Sequence, residues 1–132
     1  MTPTIDLARR ALSLLSEGEF EDLIAMTDPD VKWHSFFAEL GKSGVYTGHE
    51  GMREYTRDLR DAWDLVRVEL DDALEVGNMA LLVGRIHYRG KTSGVETKEP
   101  AGWSLSFRNG KVAEFRAFRD PERALQDIGA SD

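Results

Sequence analysis

After Trp63 the hydrophobic period changes from 3.6 to 2, and that change constrains the fold more than any other feature of the chain. Val66, Val68 and Leu70 alternate with Arg67, Glu69 and Asp71. Turn signals then divide the rest. "VGNM" at 76–79 has the composition of a two-residue hairpin, "GKTSG" at 90–94 is a second turn, and "RNGK" at 108–111 is a strong type I′ signal. Between them lie "ALLVGRIHYR", a strand over 95–108, and "VAEFRAFR". Strands joined this tightly must pair antiparallel. Pro100 has no N–H to give a ladder, so it predicts a bulge or an edge position within its strand.

The first half is helical. In "TPTIDLARRALSLLSEGEF", Thr2 or Thr4 can cap a helix, and Pro3 is tolerated in its first turn. Ile5, Ala8, Leu12 and Leu15 form one stripe, and Gly18 is a natural stop. Phe20, Leu23 and Ile24 continue into a short second helix that closes before "DPD". "VKWHSFF" is β-prone, and Val45 with Tyr46 predicts a short strand. "HEGMREYTRDLRDAW" is helical again, with Met52, Tyr55, Leu59 and Ala62 on one side. Asp120 and Pro121 open a short terminal helix that is expected to end near Gly129, and Glu122 in its first turn suits the helix dipole. Helices followed by a run of strands predict an α+β fold, and 132 residues suit one domain over 1–132.

Composition removes several functions. A net charge of −7 with scattered basic residues argues against nucleic acid as a partner. Without cysteine there is no disulfide, thiol nucleophile or thiolate metal site. No apolar run resembles a signal peptide or spans a bilayer, so the expectation is a cytoplasmic protein without membrane contact. His34, His49 and His87 lack metal-ligand spacing, so no metal and no other cofactor is expected. His49 reads as a solvated first-turn residue, and Trp33 is a better core residue than its neighbour His34. "WSLS" has no nucleophile elbow, and "GKTSG" lacks phosphate-loop spacing.

In "LLVGRIHYRG" (81–90), Arg85 and His87 share one strand face, while Gly84, Ile86 and Tyr88 share the other. Periodicity alone buries the second face and leaves Arg85 and His87 in solvent or at a subunit contact.

The order of "DPDVKWHS" after a helical pair, "GVYTGHEGMREYTRDL", "GRIHYRGKTSGVE" and "FRNGKVAEFRAFRDPERAL" resembles the SnoaL-like proteins of the nuclear transport factor 2-like superfamily. The resemblance covers nearly the whole chain. It implies a cone-shaped α+β barrel, with N-terminal helices packed on a curved antiparallel sheet around an apolar pocket. Relatives include ketosteroid isomerase, limonene epoxide hydrolase and polyketide cyclases, beside members that bind without catalysis. The hydrolase branch pairs an Arg-x-Asp with a second Asp on the last strand. Here the matching positions read Arg85-Ile86-His87 and Ala117, so both carboxylates are absent. The resemblance also turns Arg85 and His87 inward. His87 then becomes a candidate acid or base near neutral pH, with Arg85 as its electrostatic partner. Trp33, Tyr46, Trp63, Trp103, Phe115 and Ala117 become candidate pocket walls, and Tyr46 or Tyr88 a candidate hydrogen-bond donor. The implied function is binding of an apolar, carbonyl-bearing small molecule, with cofactor-free isomerisation, cyclisation or dehydration as the chemistry. The alternative is a non-catalytic ligand-binding or dimerising module. A homodimer formed through the convex sheet face is implied by the same resemblance.

Overall fold

The structure is a computed structural model and describes residues 3–36 and 44–123. Helix α1 (Pro3–Glu17) turns at Gly18 into α2 (Phe20–Ala25), as the apolar stripe and the glycine predict. Strand β1 (Thr27–His34) and the short β2 (Val45–Thr47) form a hairpin arm ahead of α3 (Gly48–Ala62). The four long strands follow as β3 (Trp63–Val76), β4 (Met79–Gly90), β5 (Glu96–Arg108) and β6 (Lys111–Phe118). The turn at 109–110 has positive φ at both central residues, 54° at Asn109 and 78° at Gly110, as a type I′ turn demands. The first three residues of the terminal helix are described at 121–123, and the rest of that expected helix lies outside the described residues.

The six strands form one open, curved sheet in the order β2-β1-β6-β5-β4-β3. The meander β3–β6 is antiparallel as expected. The chain extends the sheet beyond a simple meander, because β6 also pairs parallel with β1. β1 starts earlier than "VKWHSFF" suggests. Thr27 already pairs with Val112, and a register shift before Lys32 accommodates "DPD", where the Asp30 N–H donates to Asp28 Oδ1 at 2.8 Å. Pro100 sits in register against Arg85 with no bulge between β4 and β5. Its other neighbour, β6, ends at Phe118 opposite Gly102, so Pro100 is locally at an edge.

The helices cover one face of the sheet, with α1 against β3 and β4 and α3 against β1 and β2. This inner face carries Trp33, Leu82, Trp103, Leu105 and Phe115, all buried in one core with the helices' apolar stripes. Removing such surface from water is the main force holding helices to sheet.

The phase of β4 corrects the inward orientation expected for Arg85 and His87. Ile86 and Tyr88 are 2% and 8% exposed in the core, whereas Arg85 is exposed on the outer face. The reason lies in the neighbouring strand. Val68 pairs with Ile86 and Val66 with Tyr88, while Glu69 pairs with Arg85 and Arg67 with His87. Reversing β4 would put a guanidinium in the core and isoleucine in water, and burying an uncompensated charge is far costlier than burying an alkyl group. Gly84 marks how tightly β3 and β4 approach at a bulge, since a Cβ there would collide with the Glu69 carbonyl oxygen.

Candidate active site

The aromatic residues converge on the inner face. The Trp33 ring stacks on Phe115 with centroids 3.8 Å apart and planes 5° from parallel. Tyr55 of α3 tilts against Trp33 at 5.4 Å and against Tyr46 at 5.2 Å. Trp103 is buried beside Ala117, its register partner on β6. Trp63, half-buried where α3 gives way to β3, meets Tyr88 edge-on at 4.9 Å. All six pocket-wall candidates from the sequence therefore lie on or against the helix-covered face. Tyr46 is engaged on its polar end, because its hydroxyl donates to Asp58 Oδ2 at 2.8 Å. Burial, and then the hydrogen bond and charge of Asp58, push its pKa up to about 12.

One polar group breaks this apolar lining. Glu99 of β5 pairs with Ile86, and it shares the inner face with Ala101, Trp103 and Leu105. The Tyr88 hydroxyl donates to Glu99 Oε2 at 2.8 Å, and Arg119 Nη1 donates to Glu99 Oε1 at 2.9 Å. Arg119 also lies over the Phe36 ring, 4.5 Å from its centroid, and Phe36 meets Tyr88 edge-on at 6.3 Å. Burial raises the Tyr88 pKa, the Glu99 hydrogen bond raises it further, and Arg119 offsets part of the rise. Tyr88 is therefore a neutral phenol at ordinary pH and acts as a donor. The carboxylate accepts from a phenol and a guanidinium at once, which fixes its position. Tyr88 was a donor candidate from the sequence, but Glu99 and Arg119 were missed. Counting back in twos from Trp103 reaches Glu99, so strand alternation held the signal.

The sequence-predicted catalytic pair is not part of this group. His87 Nε2 lies 3.4 Å from Glu96 Oε2 on the outer face. There Glu96 also pairs with Arg89, which reaches Asp64 at 2.7 Å, and Glu69 pairs with Lys98 at 3.1 Å. His34 is likewise on the outer face, its Nε2–H donating to Glu114 Oε2 at 2.9 Å beside Arg116. His49 is half-buried and its Nε2–H donates to the Thr27 carbonyl at 2.9 Å, so it ties α3 to β1 rather than standing in solvent. Among the described residues, no group of three or more His, Asp or Glu side chains is placed to hold a metal ion.

A family model for the SnoaL-like domain matches residues 8–115. The chain belongs to the SnoaL-like domain family. Solved structures agree on the fold. A nuclear transport factor 2-like protein of unknown function from Burkholderia pseudomallei superposes with a TM-score of 0.81 at 18% identity, over 97% of this chain and 98% of that one. TerC, crystallised with polyporic acid, superposes with a TM-score of 0.78 at 19% identity, over 96% and 98%. A candidate SnoaL-like polyketide cyclase from Shewanella putrefaciens gives 0.77 at 18% identity, over 100% and 99%. No functionally curated protein matches the sequence. These likenesses place the chain in a SnoaL-like fold that hosts several functions, and its own residues must argue the rest.

Proposed function

We propose that this SnoaL-like domain binds an apolar, aromatic small molecule bearing a carbonyl or hydroxyl oxygen. The ligand packs at the Trp63–Tyr88–Phe36 end of the aromatic face and meets Tyr88, Glu99 and Arg119 with its polar end. The observation that carries this reading is the inward carboxylate of Glu99, held by Tyr88, which meets Phe36 and Trp63 edge-on, and by Arg119, which lies over Phe36. Sites for small ligands combine apolar walls with a few convergent polar groups. Glu99 is also the group positioned to exchange a proton at a carbon beside a ligand carbonyl, with Arg119 stabilising the enolate that results. This replaces the His87–Arg85 pair as the acid/base candidate.

Two probes test it: 2-tetralone, an aromatic ketone, and polyporic acid, the molecule crystallised with TerC. Binding to the folded state raises the melting temperature. The expected result is a dose-dependent rise with at least one probe and a weaker rise in Tyr88→Phe. Glu99→Gln is expected to keep binding and lose accelerated hydrogen–deuterium exchange at the α-carbons of 2-tetralone. No thermal shift with either probe at millimolar concentration overturns the binding reading. Undiminished exchange in Glu99→Gln overturns the acid/base role.

A second reading, that the domain pairs with its own copy, rests on the outer face. Leu81, Met79, Val83 and Phe118 cluster there, beside Leu74 and Val76, which are 49% and 39% exposed. The adjacent outer-face charges have both signs, Arg67, Arg85 and Lys98 with Glu69 and Glu96, which a two-fold contact with a second copy can pair. Sedimentation equilibrium is expected to give a dimer, and Leu74→Lys with Val76→Lys a monomer. A wild-type monomer at 100 μM overturns this reading.

A further inference from the structure

Among the described residues β3 is an end strand of the sheet, with β4 on one side and no strand on the other. Such an edge displays backbone N–H and C=O groups that a strand from another molecule can pair with. β3 is 14 residues long, and Leu74 and Val76 near its end are 49% and 39% exposed, so this edge is both extended and apolar. Two of its N–H groups are nevertheless already taken by side chains. The Val68 N–H donates to Ser16 Oγ of α1 at 2.7 Å, and the Ala73 N–H donates to Asp72 Oδ1 at 2.8 Å. Val68 and Ala73 stand opposite Ile86 and Leu82, yet these N–H groups turn to side chains rather than to β4. They flank the bulge between Leu70 and Asp72, which breaks the even spacing of outward groups that a flat partner strand needs. The hydroxyl of Ser16 has no use in the helix itself. Alanine would suit α1 better, and what serine adds is an acceptor for the edge.

We infer that the hydrogen bonds of Ser16 and Asp72 to these two N–H groups keep β3 closed to strand addition by a second copy of this chain. The edge is a pairing surface carrying its own blocking contacts. It is separate from the Tyr88–Glu99–Arg119 group and from the outer-face contact, so it stands or falls without either. An incoming strand must first displace a hydroxyl held in place by α1, and then a carboxylate carried by the residue next to its target. With both in place, the strand meets occupied donors on each side of the bulge.

Amide hydrogen exchange of the wild type is the first test, and it depends on no variant folding. The Val68 and Ala73 amides are expected to be protected although they lie on an edge, and fast exchange of both overturns the inference. In Ser16→Ala with Asp72→Ala, both amides are expected to exchange about fivefold to tenfold faster in dilute solution, the worth of one net hydrogen bond each. Sedimentation velocity of this variant is expected to show species larger than those of the wild type as concentration rises. Both amides then regain protection, because they pair with a second strand. A wild-type sedimentation profile overturns the inference. So do larger species in which the two amides stay fast, since the association then uses another surface. Ser16→Thr with Asp72→Asn keeps both acceptor oxygens and is expected to sediment as the wild type does. Larger species in that variant mean that something other than the two hydrogen bonds closes the edge, and the inference fails.

Discussion

The inner and outer faces of the same four strands are built from alternate residues and have opposite chemistry. On the helix-covered side the groups with shifted pKa are phenols kept neutral: Tyr88 on β4, with Tyr46 of β2 and Tyr55 of α3 packed over the same side, all have raised values, and burial is the largest cause. On the outer face they are carboxylates kept charged. Arg89 and His87 lower Glu96, and Lys98 lowers Glu69. At Glu114 burial works upward, but His34 and Arg116 together outweigh it. The difference shows that a charged side chain on β4 is a marker of the solvent side, unless, like Glu99 on β5, it is held by donors of its own.

The largest effect expected to sharpen this contrast comes from neighbours on one strand. Ile86→Ala is expected to cost about 3 kcal/mol in urea denaturation, the cost of emptying a packed core position. A cost below about 1 kcal/mol would break the assignment of that face. Gly84→Ala is expected to cost about 2 kcal/mol or more, because the methyl meets the backbone of Glu69 and Leu70 rather than a side chain that can yield. Wild-type stability there would mean that β3 and β4 separate freely at the bulge.

The next contrast is in pH. The lowered outer carboxylates add stability at and above their ordinary pKa of 4.5, and it is lost as pH falls below that through their folded values. The raised inner phenols add stability that is fully present below pH 10 and lost as pH climbs toward about 12, the folded value of Tyr46. Glu114→Gln is expected to flatten the acid arm of a stability–pH profile alone, and Tyr55→Phe the alkaline arm alone. Each variant altering the other's arm would show that the faces are coupled. The smallest effects are expected from Arg85→Ala, within about 0.5 kcal/mol as for an exposed position, and from His87→Ala, about 1 kcal/mol or less for a half-buried outer-face residue. A loss comparable with Ile86→Ala would restore both to the interior.

Much of this was legible in the sequence because it is local. The 3.6-residue stripe through Ala8, Leu12 and Leu15, the glycine at 18 and the "NG" at 109–110 each act within a few residues, and the elements formed where they predict. The phase of β4 was legible as well. Alternation alone places Ile86 and Tyr88 inside, and the family resemblance pointed the other way. Fold likeness conserves the path of the backbone more closely than the identity of the residue at each pocket position. Two features were not legible. The parallel pairing of β1 with β6 joins Trp33 to Phe115 across 82 positions of chain, and no short-range pattern encodes such a contact. The role of Glu99 depends on Arg119 from another strand end, so its partner emerges only when β5 and β6 are folded together.

That parallel pairing also dictates when the molecule can be finished. β6 is the last of the six strands to be made, yet it sits between β1 and β5 as the seam of the sheet. Until residues 111–118 leave the ribosome, the N-terminal arm and the central meander each display an open edge and cannot join. Assembly must therefore wait for the final strand, a long-range closure that slows folding and makes an interrupted or shortened chain adhesive.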